Sequence, residues 1–295
     1  IIETLEKFKI PNLKIKWPND ILSANNKIGG VLIENIIKGK KLNASITGIG
    51  INVNQKSFID LPAAGSMFLQ TNKKYDLKKV FETTSGQPII FPGTGSSGWE
   101  AALTNLLSKG DKVLSGRFGH FSHLWIEMCK KLHIDVEEVD CEWGSGTPHE
   151  EFEKILSADK EHKIKAVLVT QNETSTGVTN DVKATRELLN NLNHPALLFV
   201  DGVSSIGSIK FEMDAWGVDV AVSGSQKGFM LPAGLAISCI SQKALEIAKT
   251  SNLPRAYYDY QDMLKINETG YWPYTNPMPL LRGLREALDM MMEEG

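Results

Sequence analysis

The chain has 295 residues, of which 42% are hydrophobic and 23% charged, and its formal net charge is -3. This composition is typical of a folded, water-soluble protein with room for two domains, and the lack of any apolar run of about 18 residues excludes a membrane-spanning helix. No secretory signal is recognised and the three cysteines lack C-x-x-C spacing, so we expect a cytoplasmic protein with reduced thiols.

The net charge conceals a difference between the two ends of the chain. Residues 1–80 hold 13 lysines against 6 acidic residues, or +7, whereas the remainder holds 19 lysines and arginines against 29 acidic residues, or -10. A basic segment can indicate nucleic-acid binding, but this one contains no arginine and no interleaved aromatic residues. We therefore expect no nucleic-acid partner and attribute the shift to a change of polypeptide family along the chain.

The first predicted elements form a small α+β segment. The pattern predicts a helix over 1–8, a strand over 13–17, a turn at 18–20 and two β-rich runs over 28–37 and 42–53. Turn residues between the two runs predict a β-meander with one polar face. Because the chain opens inside an amphipathic pattern with no cap before it, we expect its true start to lie before residue 1.

From residue 76 onward, apolar strands alternate with helices. In chain order, the pattern predicts a helix at 76–82, a strand at 86–91, a helix at 99–107, a strand at 112–115, a helix at 123–132, a strand at 135–139, a helix at 149–156, a strand at 166–170, a helix at 181–192, strands at 196–200, 218–223 and 235–241, and a helix at 280–292. Strands rich in β-branched residues in this alternation predict an α/β fold with a mostly parallel sheet and helices on both faces.

The stretch "GTGSSG", residues 93–98, matches G-x-G-x-x-G after a predicted strand and before a helix. A dinucleotide site also needs an acid about 20 residues further on, at the end of the next strand, whereas Asp111 precedes that strand. The dinucleotide interpretation is therefore disfavoured. Backbone N–H groups and the hydroxyls of Thr94, Ser96 and Ser97 at a helix N-terminus suit a phosphate, and a simple capped turn is the alternative.

Two charged residues follow neighbouring apolar strands. Asp201 ends the strand "ALLFV", and Lys227 follows the next strand in "SGSQKGFMLPAG". Singly, a turn aspartate and an exposed lysine are the simpler interpretations. Together with a phosphate cradle they meet the needs of pyridoxal phosphate, because the lysine can form a Schiff base and the acid can keep the pyridine nitrogen protonated.

Several motifs in residues 76–295 carry a family resemblance. "GTGSSGWEAALTNLLSKGD", "GRFGHFSHLW", "TQNETSTGVTN", "LLFVDGVSSIG" and "SGSQKGFMLPAG" keep their order and resemble the class V serine–glyoxylate and alanine–glyoxylate aminotransferases, which have the large domain of fold-type I pyridoxal-phosphate enzymes. The resemblance implies pyridoxal 5'-phosphate as cofactor, a homodimer, and amino transfer from serine or alanine to glyoxylate or a related 2-oxo acid.

The resemblance also implies roles for individual residues. Lys227 would bond the cofactor and then move the substrate's α-proton, while Asp201 would pair with the pyridine nitrogen. The other implied contacts are with the ring (Phe121 on one face, Val203 on the other), the phenolic oxygen (Thr174), the phosphate (Thr94, Gly95, Ser96 and Gln226) and the partner subunit's phosphate (Thr275).

One feature of these aminotransferases is not matched. Their substrate carboxylate is held by an arginine in a C-terminal small domain, which we expect to be missing here, as is the segment lining their active-site entrance. Arg255, Arg282 and Arg285 lie in regions that do not correspond to that role. The resemblance therefore supports cofactor binding more strongly than turnover.

The N-terminal part resembles a different family. "LKIKWPNDIL", "NKIGGVLIE" and "ITGIGINVN" are similar to the catalytic core of biotin–protein ligases, which implies ATP, magnesium and biotin as ligands. By resemblance Lys27 is the central lysine, Lys16 a neighbour on a strand, and Asn19 with Asp20 the turn beside the nucleotide. Lysines stabilise the negative charge of carboxylate activation, although ordinary strand-end lysines are the simpler interpretation.

Three hypotheses for the whole chain follow from the two resemblances. We place the domain boundary within 74–80, with a partial ligase-like core at 1–76 and the aminotransferase large domain at 77–295. The function is then that of the aminotransferase, that of the ligase, or that of an inactive chimeric or mis-assembled fusion of two truncated enzymes. No metal site is predicted, because His120 and His123 have no third ligand at a suitable spacing.

Overall fold

The computed structural model describes residues 10–16, 20–38, 41–51 and 77–294, together with Ile2 and Glu6, which are helical. The rest of the predicted helix at 1–8 lies outside the described residues. Two compact units are distinguished: Ile1–Tyr75 with Pro277–Arg285, and Asp76–Asn276 with Glu286–Gly295.

The first unit is built on an antiparallel four-stranded sheet, as the predicted β-meander requires. Its strands lie in the order β1-β2-β3-β4 and run over Leu13–Lys16 (β1), Asp20–Ser23 (β2), Asn26–Lys38 (β3) and Lys41–Ile51 (β4). Ala24 and Asn25 join β2 to β3 with φ angles of 46° and 75°. Positive φ at both central residues is typical of a type I′ turn, whose twist matches that of the flanking strands.

The second unit contains the remaining elements. Its strands are Gln87–Gly93 (β5), Lys112–Arg117 (β6), Asp135–Asp140 (β7), Ile164–Thr170 (β8), Asn172–Glu173 (β9), Val178–Thr179 (β10), Leu197–Asp201 (β11), Val220–Gly224 (β12) and Gly234–Ile240 (β13). Its helices are Gly95–Leu106 (α1), His120–Lys131 (α2), His149–Ala158 (α3), Val182–Asn191 (α4), Gln242–Ala248 (α5) and Tyr260–Asn267 (α6). The last helix, Met278–Glu294 (α7), contributes residues to both units.

Seven strands form the central sheet of this unit in the order β5-β13-β12-β11-β8-β6-β7. Strand β13 runs antiparallel to the other six strands, which all run in the same direction, so the predicted mostly parallel sheet is confirmed. Every residue of β11 and β12 is buried, which shows that both faces of the sheet's centre are covered. β9 and β10 form a separate two-stranded hairpin.

Helix α1 packs directly on the sheet through a glycine. A Cβ atom built on Gly98 would lie 2.5 Å from Cγ1 of Val222 on β12, which is closer than real atoms approach. On the same side, the rings of Trp99 and Trp125 stack with centroids 5.5 Å apart and join α1 to α2. Both rings belong to the main hydrophobic core, so the N-terminal turn of α1 is held at a fixed height above the strands.

The predicted helix at 76–82 is wrong for the residues that the structure describes there. Residues 77–82 form turns, and Glu82 has a φ angle of 49°, which a helix cannot continue. The cause is tertiary. Phe81 is fully buried against Phe211, and its carbonyl accepts a hydrogen bond from the N–H of Met213. Nearby, the Thr83 hydroxyl donates a hydrogen bond of 2.5 Å to Oδ1 of Asp214.

Across the described residues, no helix is long and apolar enough to cross a membrane. The three cysteines form no disulfide. Burial raises the pKa of the Cys129 thiol to about 12, so this cysteine is a packing residue and not a nucleophile.

Candidate functional site

The predicted acid and lysine lie at one edge of the central sheet. Asp201 is the last residue of β11 and pairs in register with Thr170 on β8 and Val222 on β12. Lys227 comes three residues after the end of β12, the parallel neighbour of β11, and is exposed. The carboxyl ends of these parallel strands therefore bring the two groups to the same edge, where open α/β sheets bind ligands.

Asp201 is a buried carboxyl group with few partners. Its side chain is 4% exposed, and its Oδ1 accepts a hydrogen bond of 3.0 Å from the N–H of Val203. Burial raises the pKa of Asp201 to about 7, and the negative charge of Glu173 contributes to the rise. The Val203 N–H and the nearby Trp99 indole oppose the rise, although the indole N–H does not reach hydrogen-bond geometry. Such a carboxyl group favours a partner that donates a proton or carries positive charge.

The N-terminus of α1 reaches the same edge. Among the hydrogen bonds of the described residues, none uses the backbone N–H of Gly95 or Ser96, whereas Ser97 Oγ accepts from the N–H of Thr94 at 3.2 Å. A Cβ atom on Gly95 would collide with Val203, so the start of α1 lies against the loop that follows Asp201. Free N–H groups at a helix start are donors for an anion such as phosphate.

The loop that carries Lys227 is fixed by close backbone contacts. A Cβ atom on Gly228 would collide with the carbonyl oxygen of Ile206 and with Gly207, in the loop after Asp201. Ser225 Oγ donates to the carbonyl of Pro232 at 2.7 Å, which closes the other side of the loop. The structure thus joins the segments of Asp201 and Lys227 through glycines that leave no space for a side chain.

Phe121 and Thr174 are held near each other by a residue that the sequence analysis missed. Phe121 is half-buried in the first turn of α2, and Thr174 is exposed in the turn between β9 and β10. Between them, the buried carboxylate of Glu173 accepts hydrogen bonds from the N–H groups of Phe121 and Ser122, each at 3.0 Å. No local pattern signals this cap, since the donors precede the acceptor by about 50 residues in sequence.

Two other predicted residues are placed less closely. Gln226 is half-buried beside Lys227, and its Oε1 is buried without a hydrogen-bond partner. Thr275 is exposed between α6 and α7, and no hydrogen bond among the described residues involves it. Arg255 is committed to Asp259, with Nε 2.9 Å from Oδ2, and to backbone carbonyls, which fits its expected lack of a substrate role.

The residues predicted for a biotin ligase lie in the first unit. Lys16 and Asp20 pair across β1 and β2, and Nζ of Lys27 lies 2.6 Å from Oδ1 of Asp20. Lys27 is exposed, so this ion pair contributes little to stability. Asn19 lies outside the described residues. Of the four predicted residues, Asp20 thus pairs with Lys16 in the strand register and with Lys27 in an ion pair.

The residues at the sheet edge fit the predicted cofactor. Thr170 Oγ1 and Gln226 Oε1 are buried and make no hydrogen bond, and unsatisfied atoms of this kind are expected to find partners in a ligand. The free N–H groups of Gly95 and Ser96 would serve as donors for a phosphate, and Asp201 as an acceptor for a protonated ring nitrogen. Within the described part of the chain, no group of three or more His, Cys, Asp or Glu residues is arranged to hold a metal ion.

Two protein-family models match the chain in adjacent stretches. Residues 54–295 match the family described as aminotransferase class-V, and residues 1–52 match the biotin/lipoate A/B protein ligase family. Beyond the short second match, nothing supports the biotin-ligase hypothesis.

Curated and structurally determined relatives agree with the longer match. The chain is 55% identical to a serine–glyoxylate aminotransferase of Methylorubrum extorquens, over 75% of this chain and 56% of that protein. It is 54% identical to an L-aspartate–glyoxylate aminotransferase of Paracoccus denitrificans, over 74% and 55%. The crystal structure of an alanine–glyoxylate aminotransferase from Nostoc sp. superposes with a TM-score of 0.67 at 31% identity, over 74% and 58%. The chain thus spans little more than half the length of these relatives.

Proposed function

The chain belongs to the class V aminotransferase family, and from this premise we propose that it uses pyridoxal 5'-phosphate to transfer an amino group from serine or alanine to glyoxylate or a related 2-oxo acid. The observation that carries the proposal is the meeting of Asp201, Lys227 and the free N–H groups at the start of α1 at one edge of the sheet. The names of the similar proteins support the substrate class, because each acts on glyoxylate.

Each residue of the site has a role that follows from its chemistry. When bound, pyridoxal phosphate supplies an electron-accepting ring. The α1 N–H groups of Gly95 and Ser96, with the Thr94 hydroxyl and the Gln226 amide, would bind its phosphate. Asp201 would accept a proton shared with the ring nitrogen, and the Lys227 amine would take the proton from the α-carbon of the amino acid.

Three side chains would orient the ring. Phe121 and Val203 would cover its two faces, which excludes water from the reacting atoms, and Thr174 would donate to the phenolic oxygen. We also propose a homodimer in which Thr275 reaches the phosphate bound by the partner subunit, a cytoplasmic location, and a domain boundary between residues 76 and 77. The ends of the compact units near Tyr75 support that boundary.

The test is reconstitution of the protein with pyridoxal 5'-phosphate. We expect visible absorbance that survives gel filtration and is bleached by borohydride, and we expect Lys227→Ala to abolish the covalent component. Lys249→Ala is the matched control, since Lys249 is an exposed lysine paired with Glu246 on α5. Covalent binding that persists in Lys227→Ala would refute the lysine assignment, and no binding at all would favour an inactive fusion.

A further inference from the structure

Glu173 is a buried acid to which neither the resemblance nor the proposed function assigns a role. It is 0% exposed and lies on β9, directly before Thr174. Its carboxylate accepts hydrogen bonds from four groups: the N–H of Phe121, the N–H of Ser122, and the N–H and hydroxyl of Ser175, the last two at 3.1 and 2.8 Å. All four donate, so the site is built for the ionised carboxylate.

These hydrogen bonds fix the start of α2 against the β9–β10 hairpin. The N–H of His120, the first residue of α2, donates to Ser175 Oγ at 2.9 Å, so the hairpin takes the first three N–H groups of the helix. Gly119 completes the contact, because a Cβ atom there would collide with the Glu173 side chain. The position of Phe121 is thus set by the same carboxylate that precedes Thr174.

The starts of α1 and α2 therefore differ in a way that matters for an anionic ligand. A helix N-terminus attracts negative charge through its free N–H groups and its dipole. In α2 the Glu173 carboxylate already occupies this position, whereas in α1 no described side chain accepts from Gly95 or Ser96. Of these two helix starts, only that of α1 therefore has free N–H groups that could bind a phosphate, whereas those of α2 are taken by the hairpin.

We propose that Glu173 is a positioning residue of the cofactor site, which holds the Phe121 ring and the Thr174 hydroxyl in one arrangement and keeps the start of α2 closed to phosphate. This inference rests on the proposed function, because it assumes that Phe121 and Thr174 contact the ring of the cofactor. The negative charge of Glu173 also lies close enough to Asp201 to favour a cationic partner there.

The test separates ring binding from phosphate binding in the apoprotein. Affinities for pyridoxal 5'-phosphate and, by competition, for inorganic phosphate are measured for the wild type, Glu173→Ala and Glu173→Gln. We expect Glu173→Ala to weaken pyridoxal 5'-phosphate binding by about tenfold or more, because it removes charge-assisted hydrogen bonds to the helix. Competition by phosphate at α1 should change by less than about twofold, since that site is separate.

Two variants show whether the effect is one of position or only of folding. Glu173→Gln keeps one acceptor oxygen and should recover part of the lost affinity. Asp181→Asn is the matched control, since Asp181 caps α4 by accepting from the N–H of Ala184 at 2.9 Å. It should lower the melting temperature without altering the ratio of the two affinities.

Each outcome has a defined meaning. Unchanged pyridoxal 5'-phosphate affinity in Glu173→Ala, or equal losses for pyridoxal 5'-phosphate and phosphate, overturns the positioning role. Failure of the wild type to bind pyridoxal 5'-phosphate overturns the proposed function instead. In that case hydrogen exchange at the Phe121 and Ser122 amides decides whether Glu173 holds α2: faster exchange in Glu173→Ala supports the contact, and unchanged exchange refutes it.

Discussion

Two buried carboxylates at the sheet edge are stabilised to different degrees. Glu173 accepts hydrogen bonds from four donor groups, whereas Asp201 accepts one, from the Val203 N–H. Burial, which the Val203 N–H opposes only in part, raises the pKa of Asp201 to about 7. Asp201 therefore favours a protonated or cationic partner, and no cationic side chain in the described part of the chain lowers its pKa.

The raised pKa of Asp201 predicts that the stability of the apoprotein depends on pH. A carboxyl group whose pKa rises from 3.8 in the unfolded chain to about 7 in the folded protein stabilises the fold below pH 4 and loses that contribution as the pH rises toward 7. The loss amounts to at most about 4 kcal/mol of unfolding free energy, at ~1.4 kcal/mol per pKa unit. We expect Asp201→Asn to remove it, as measured by urea unfolding from pH 4 to pH 8.

The comparison is made on the difference between variant and wild type, because other groups also titrate. Asp201→Asn should gain stability relative to the wild type as the pH rises, and Asn190→Ala, an exposed change that removes no ionisable group, should run parallel to the wild type. Parallel curves for Asp201→Asn would contradict the raised pKa. The same substitution should weaken binding of pyridoxal 5'-phosphate, since an amide is a poorer partner for a protonated ring nitrogen.

Sequence patterns predicted the site residues that are marked by their own neighbours in the chain, and missed the residue whose partners lie far away in sequence. Asp201 ends an apolar strand and Lys227 follows the next, so strand order alone predicts that they meet. Glu173 caps a helix about 50 residues before it in the chain, and no spacing rule joins the two. The roles of the predicted residues toward the cofactor stay predictions.

At the scale of elements, the packing of α1 depends on the absence of a side chain at Gly98. The glycine lies in a helix, where it costs helix stability, but it allows the helix to approach Val222. Because α1 also presents Gly95 to Val203, this approach sets the height of the helix start above the sheet. The packing of Gly98 therefore also positions the N–H groups that we propose to bind a phosphate.

Gly98→Ala should destabilise the protein by about 1–3 kcal/mol, because the new methyl group overlaps Val222. Val222→Ala makes space for it, so the double variant should be more stable than the sum of the single effects predicts, by about 0.5 kcal/mol or more. Chemical denaturation of the four proteins measures this coupling. Val167, buried on β8, is the control partner, and its Ala variant should combine additively with Gly98→Ala.

Predicted elements agree with the structure where apolar runs are long, and fail where tertiary contacts decide. All seven strands of the central sheet lie where the pattern predicts them, but α2 begins at His120 and not at residue 123 because Glu173 accepts from its first turn. Helices α5 and α6 were missed although Ser241 and Asp259 cap them. The capping residues can be recognised in the sequence, but the helices that follow them are short and lack a clear apolar stripe, so the pattern does not predict them.

At the scale of the whole molecule, the chain contains two compact units and matches two protein families. The class V match begins at residue 54 and the second compact unit at Asp76, so the two boundaries differ. The antiparallel sheet of the first unit agrees with the predicted β-meander and carries an ion pair between Lys27 and Asp20. Only the second unit carries the site for which we propose a function.

Thermal unfolding should distinguish the ligands of the intact chain. A ligand at about 100 times its dissociation constant stabilises the folded state by about 2.7 kcal/mol. We expect pyridoxal 5'-phosphate to raise the melting temperature of the apoprotein, and biotin with Mg-ATP to leave it unchanged. A rise with biotin and ATP alone would reverse the assignment of function between the two units.

The antiparallel strand β13 has a consequence for how the protein is made. Gly93, the last residue of β5, pairs with Gly234, and Gln87 pairs with Ile240. The first strand of the sheet in chain order can therefore pair only after the last strand has been synthesised. Pairings across so many residues are slow because loop closure must precede any gain from contact. Strand β5, which leads into α1, can pair within the sheet only after β13 has been synthesised. During synthesis, the candidate site is therefore completed late, after β13 has joined the sheet.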